Sequence, residues 1–436
     1  MRGKKLSLGL AGILAIFTLA MLIASTRALA QTESVLHNFN VVGTSANLPE
    51  GGLVFDEAGN LYGTTYQGGA GTCYQEEYEV GCGAVFELAP AEGGGWTAKI
   101  LHNFNPNGKD GIWPGSSLIL DGAGNLYGTT ENGGEYGAGT VFEVSPKAGG
   151  GWTERVLHNF NNNGVDGAYP ASAPLTLDAS GNLYGTAGGG AYGGGVVFEL
   201  SPTASEKYTE KILHNFVINS TKDGAEPLGN VIFDSTGNLY GATSIGGTTF
   251  GCGTFFELSP ATGGHWKEKI LHDFGSGTDG CFPASGLIFD AAGNLYGTSL
   301  YGGVNTNCTY GGPTSCGTVF ELSPNAGGGW TETVLHSFDN NGVDGTSPGA
   351  NLVFDAAGNL FSTTYFGGAY NAGTMFELTP ATGGSWTETI VHSFGSGTDG
   401  RNPNQGGPII DSAGNLYDMT VSGGTFGGGT VYEITP

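Results

Sequence analysis

Histidine at a regular spacing is the first feature of this sequence that could do chemistry. Seven of the 8 His residues share one context, an apolar residue before and Phe two places after: His37, His102, His158, His214, His272, His336 and His392. Imidazole titrates near neutrality and ligates metals, so such a series invites a metal-binding or proton-transfer reading. A catalytic group needs one unique environment, however. A residue that returns in every copy of a repeat answers a need of every copy, such as satisfying buried backbone groups, and the series is assigned to the scaffold. His265, the eighth, has no Asp or nucleophile beside it in the sequence, which leaves a Ser-His-Asp site without a spare base. Asp-Gly turns recur at Asp110, Asp166, Asp223, Asp279, Asp344 and Asp399. Each offers one carboxylate where calcium takes ~6 to 8 oxygens, so they read as turn chemistry, and no metal or cofactor is expected.

Carboxylates outside any periodic position are a second source of chemistry. Glu76, Glu77 and Glu79 lie in an insertion, "TCYQEEYEVGC", and Glu131 and Glu135 in the next comparable loop. Two carboxyls about 5 to 10 Å apart are what a glycosidase needs. The competing reading is an acidic, solvated loop. Aromatic and polar residues form a third set: the residue before a recurrent Pro is Leu48, Trp113, Tyr169, Glu226, Phe282, Ser347 and Asn402 in turn, with Arg401 beside the last. Rings stack on the apolar C–H faces of sugars while polar groups read hydroxyls, so Trp113, Tyr169, Glu226, Phe282 and Arg401 are candidate glycan contacts. Plugging of a central opening is the alternative for them.

These residues are positioned by a repeat. Something close to "LIFDAAGNLYGTS", Leu287 to Ser299, occurs seven times, with its Asn at Asn60, Asn125, Asn182, Asn238, Asn294, Asn359 and Asn415. Asp can hydrogen-bond the turn backbone and Gly can take the left-handed conformation, so each copy predicts a hairpin. The full cycle carries four strand candidates, G-L-x-F-D, N-L-Y-G-T-T, G-T-V-F-E-L and W-T-E-x-x-L-H-x-F, rich in β-branched and aromatic residues. Successive His residues are 56 to 65 apart. That length with four antiparallel strands predicts a propeller blade, whereas solenoid turns run nearer ~20 to 30 residues. The expected fold is all-β, one seven-bladed propeller over residues 31–436. The segment Ser34 to Phe39 is a fourth strand without a blade, and the last cycle stops after its third at Pro436. Pairing the two closes the ring and removes two exposed sheet edges.

Alternation of strand direction puts the loops between second and third strands, and those between blades, on one face of the disc. The opposite turns are monotonous, D-x-x-G-N and P-x-x-G-G. All 6 cysteines fall on the variable face. An even count in an exported chain implies disulfides, and the local scheme is Cys73 with Cys82, Cys308 with Cys316, and Cys252 with Cys281.

Residues 1–30 have the order of a secretion signal: basic Arg2, Lys4 and Lys5, an apolar run from Leu6 to Ala24, and a small-x-small site at Ala28 to Ala30. An uncleaved anchor is the other reading of that run. Cleavage leaves ten Lys and Arg against 39 Asp and Glu. Such a charge repels nucleic acid and anionic lipid surfaces.

The cycle "GLxFDxxGNLYGTTxxGG…GTVFELSP…GGGWTExVLHxF" resembles the GloVer (gloeo/verruco) tandem-repeat family of secreted bacterial proteins over essentially all of Gln31 to Pro436. The resemblance implies an extracytoplasmic repeat protein with no established activity. Anchored members carry a C-terminal surface anchor, which this sequence does not show after Pro436. The expectation is a secreted, monomeric, non-catalytic binding scaffold, with extracellular glycan or an envelope protein as partner. The alternatives are a polysaccharide hydrolase or lyase using the Glu76 to Glu135 cluster, and a structural envelope component.

Overall fold

Each D-x-x-G-N segment folds back on itself around its Asp side chain. In one copy, Asp290 Oδ1 accepts the backbone N–H groups of Ala292 and Asn294, both at 2.8 Å. Its Oδ2 accepts the Asn294 side-chain amide at 2.8 Å and the Tyr296 hydroxyl at 3.2 Å. Gly293 at φ 88° completes the turn. Burial alone would raise the Asp290 pKa, but these hydrogen bonds outweigh it and hold the carboxyl below its ordinary value.

The computed structural model describes residues 32–41, 45–75, 77–170, 174–205, 207–248, 251–308 and 315–435; the expected signal segment and Glu76 lie outside them. The fold is all-β, with one short 3-10 turn at Thr262–Gly264. The second blade shows the pattern: strands Ile119–Leu120, Leu126–Thr130, Thr140–Pro146 and Trp152–Asn159 pair in that order, all antiparallel, from the axis outward. Seven such sheets form the ring. In the last, the outer strand is the N-terminal segment Thr32–Asn40, antiparallel to Gly427–Thr435, with Thr32 opposite Thr435 and Asn40 opposite Gly427. The expected closure is therefore present.

Blades adhere through aromatic side chains. The Phe of each H-x-F packs edge-on or tilted against a third-strand ring of the next blade: Phe39 on Phe86, Phe104 on Phe142, Phe160 on Phe198, with centroids 5.1 to 5.3 Å apart. The outer-strand Trp packs on the preceding blade's second-strand Tyr, as Trp152 does on Tyr62 at 6.0 Å. Third-strand Glu residues bond inside their own blades, Glu257 to Ser259 at 2.5 Å for example. The hub is polar and tight. Gly52 N–H donates to Ser117 Oγ at 2.7 Å, Gly286 N–H to Asn351 Oδ1 at 2.6 Å, and Asn404 Nδ2 to Gly51 O at 2.7 Å. Among the described residues, a cavity of about 60 Å³ is lined there by Ser117, Pro174, Leu228, Ala284, Asn351 and Gln405 among others. That is room for one or two waters.

The Gly of G-N-L-Y-G-T has a steric reason: a Cβ on Gly63 would stand 2.8 Å from the Phe86 ring. The last blade breaks the rule with Asp418, fully buried, facing Tyr432, whose hydroxyl donates to Asp418 Oδ2 at 3.3 Å. Burial pushes the Asp418 carboxyl up to about 8, against the opposing hydrogen bonds from Met419 N–H and Tyr432. The folded state thus keeps a proton that the unfolded chain releases near its ordinary carboxylate value. This contribution to stability is full below about pH 4, declines as pH rises, and is lost above about 8. Replacing the pair in D418G/Y432F should flatten the fall in urea-unfolding stability between pH 5 and 8 relative to the parent.

Candidate functional site

The seven residues before the recurrent Pro share a backbone conformation that no local signal announces. Leu48, Trp113, Tyr169, Glu226, Phe282, Ser347 and Asn402 all have positive φ, between 51° and 62°. Non-glycine residues there cost of order 1 kcal/mol or more unless the surroundings hold them. Here each amide donates to a carbonyl of the preceding blade's variable loop, as Trp113 does to Cys82 O at 2.9 Å and Phe282 to Cys252 O at 2.8 Å. The ring stitches blade to blade on the loop face.

That face is braced by three disulfides, Cys73–Cys82, Cys252–Cys281 and Cys308–Cys316. Each includes a cysteine whose carbonyl accepts a stitching amide: Cys82 from Trp113, Cys252 from Phe282 and Cys316 from Ser347. Beside them opens a cup of about 460 Å³ between the fifth, sixth, seventh and first blades. Its wall combines Tyr301, Tyr365 and Phe366 with the polar groups of Glu50, Asn404 and Gln405. Glu50 is mostly buried, and burial first and the nearby Glu131 second push its carboxyl up to about 7. Glu131 itself is exposed and accepts the Tyr66 hydroxyl at 2.6 Å. Tyr66 stacks on Trp113 at 5.8 Å.

The sequence candidates distribute around this cup. Of the pre-Pro ring, Ser347 lines it. Trp113 leans on Tyr66 and donates its indole N–H to Gly81 O at 3.3 Å; Phe282 packs on Tyr301, a wall residue, at 6.0 Å. Tyr169, Glu226 and Arg401 are exposed and stand apart from the wall. Of the acidic cluster, Glu131 faces Glu50 electrostatically, Glu77 and Glu79 project from an exposed hairpin, and Glu135 anchors only its backbone N–H on Asn159. Glu50, Tyr301, Tyr365 and Phe366 were not singled out in the sequence. Glu50 carries a signal after the fact, since it follows Pro49 where the other copies have Gly, Ala, Leu or Asn.

A seven-bladed β-propeller with a disulfide-braced loop face and one asymmetric cup is the class these features define. The family model for the Gloeobacter/Verrucomicrobia repeat matches residues 70–310 and 306–436, and the chain belongs to that family. No curated protein sequence matches. Among solved structures, the extracellular domain of BT4673 from B. thetaiotaomicron, described as a hybrid two component system, is similar with TM-score 0.53 at 12% identity over 91% of this chain. The match spans 40% of that longer chain. A luciferin-regenerating enzyme aligns with TM-score 0.42 and 14% identity over 74% of this chain and 91% of its own. The first of these likenesses extends to the propeller fold.

Glu131→Gln should lower the titration midpoint of Glu50 from about 7 toward, but not to, its ordinary value, because burial remains. Carboxyl chemical shifts followed by NMR against pH would measure it.

Proposed function

We propose that the chain is a secreted interaction scaffold that binds a segment of extracellular glycan in the cup, without turning it over. The observation that carries this reading is the composition of the wall: three aromatic rings, Tyr301, Tyr365 and Phe366, set among Glu50, Asn404 and Gln405. Rings of this kind take the apolar face of a sugar, and amide and carboxyl groups order its hydroxyls. Three disulfides suit an oxidising compartment, and among the described residues no helix is long and apolar enough to cross a membrane. The acidity of the chain favours neutral or cationic polymers over nucleic acid. The scaffold acts as a monomer, with a glycan or an envelope protein as its partner.

A second reading rests on Glu50. A carboxyl that holds its proton to about 7 beside the Glu131 carboxylate is the division of labour of an acid and a base in polysaccharide cleavage.

Titration of the purified chain against soluble polysaccharides, with binding and product release both scored, separates the two. Binding that weakens at least tenfold in Tyr365→Ala, with no new reducing ends or unsaturated products, is the expected result. Product formation abolished by Glu50→Gln would replace the scaffold by an enzyme, and binding indifferent to Tyr365→Ala would remove the cup from the argument.

A further inference from the structure

The periodic His residues meet partners that lie far away in the cycle. At six of the seven blade junctions, the His of one outer strand faces the Asp of the connecting Asp-Gly turn and a Glu from the next blade's outer strand. The His are His102, His158, His214, His272, His336 and His392. The Glu are Glu154, Glu210, Glu268, Glu332, Glu388 and Glu33, the Glu of W-T-E or its equivalent. In the sets built on Asp110, Asp166, Asp223, Asp279 and Asp399, one nitrogen and two carboxylate oxygens lie within 4.8 Å of one another.

The junction of the third and fourth blades is the clearest. His214 Nε2 is 3.5 Å from Asp223 Oδ1 and 3.7 Å from Glu268 Oε1. All three atoms are buried, and none has a hydrogen-bond partner. Asp223 is only 7% exposed, and its other oxygen is pinned by the Val217 amide at 2.9 Å, which leaves Oδ1 aimed at the imidazole. At the preceding junction His158 Nε2, Asp166 Oδ1 and Glu210 Oε1 are also unpartnered, with the imidazole 3.4 Å from Asp166 Oδ2, the oxygen that accepts the Asn161 amide. At Asp110, Asp344 and Asp399, Oδ2 accepts a turn amide, of Asn105, Asp339 and Gly395 respectively, and also meets the Nε2 of His102, His336 and His392 at 3.1, 3.2 and 2.9 Å, while Oδ1 stays buried without a partner.

Two carboxyl groups and one imidazole brought together away from water are balanced either by protons held on the Glu and His or by a bound cation. Lysine and arginine do not provide that cation there: Lys99, Arg155 and Lys211 pair with the third-strand residues Glu87, Glu143 and Glu199. Metal bonds of about 2.0–2.2 Å at tetrahedral angles put donor atoms roughly 3.3–3.6 Å apart, close to the separations at His214. An imidazole with two carboxylates suits zinc or a similar divalent transition metal better than calcium, which takes more oxygens and no nitrogen. At the fourth junction a groove of about 620 Å³ reaches His272, Asp279 and Glu332 from solvent, which supplies an entry path.

We propose that these six junctions are binding sites for a divalent transition-metal cation of the zinc type, each held by His, Asp and Glu from adjoining blades and left open at a fourth position. The cations rivet neighbouring blades together. Among the described residues, the seventh junction, where the ring closes, shows no such set. His37 is present, but Ser45 stands at the Asp position and Ala98 at the Glu position.

The absent site supplies the test. Equilibrium dialysis of the untagged chain against buffered free Zn²⁺, with bound metal counted by mass spectrometry, should give six equivalents. Glu268→Ala, which copies the natural Ala98 and so need not disturb folding, should give five, and the double substitution S45D/A98E should give seven. Less than one equivalent bound by the parent chain, or a count that both variants leave unchanged, would overturn the assignment.

Discussion

The edge-to-face contact between the H-x-F ring of one blade and the third-strand ring of the next is the constraint on which this molecule rests. Each such Phe is almost fully buried, so each contact combines the hydrophobic burial of two rings with about 0.5–1.5 kcal/mol of ring–ring preference. A four-stranded blade alone would leave these faces wet. The Gly opposite the third-strand Phe, Gly63 or Gly297 for example, exists to let that ring lie flat over the second strand. The seam therefore explains the most repeated letters of the cycle at once: G in the second strand, F in the third, H-x-F in the fourth.

Because the seam must recur at every junction, periodic residues have little freedom to specialise, and variation is displaced to the loop face. The pre-Pro position illustrates how the two demands are separated. Its backbone is held at positive φ by hydrogen bonds that any residue can make, so its side chain is free to be Leu, Trp, Tyr, Glu, Phe, Ser or Asn. Disulfides serve the same division. They fix inserted loops, such as that between Cys73 and Cys82, without asking the blade core to change.

The architecture was legible in the sequence because each of its determinants is local. D-x-x-G-N encloses its own hydrogen bonds within six residues, Asp290 to Tyr296, and four alternating strands repeat without interruption. The pairing of Thr32–Asn40 with Gly427–Thr435 could be deduced from an unpaired fourth strand at one end and a missing one at the other. The disulfides follow from closeness along the chain or in adjacent loops. The cup was not legible. Its wall comes from Glu50, Tyr301, Tyr365 and Gln405, which belong to four different blades, and periodicity says which face they share but not which side chains converge. The His–Asp–Glu sets were half legible. His and Asp each form a visible series, but nothing local ties them to the W-T-E glutamate, whose partners lie one blade away. The one available signal was joint absence: the junction that lacks the Asp also lacks the Glu.

Departures from the repeat are not spread evenly around the ring, and their placement bears on where a unique site can form. The sixth blade replaces the usual Tyr-Gly by Phe361 and Ser362, the seventh has Asp418 facing Tyr432, and the first brings Ser45, Ala46, Glu50 and Ala98. These three blades flank the closure, and with the fifth they surround the cup. A ring built from near-identical units offers near-equivalent blade cores, and its ends meet in only one of them. There the chain is completed by a strand from its other terminus, so the register of neighbouring blades is set by a pairing made once instead of by the turn that joins successive copies. A buried carboxyl such as Glu50 is tolerable at that place because it need be accommodated only once. The break in symmetry and the candidate site thus have a common origin in the closing of the ring.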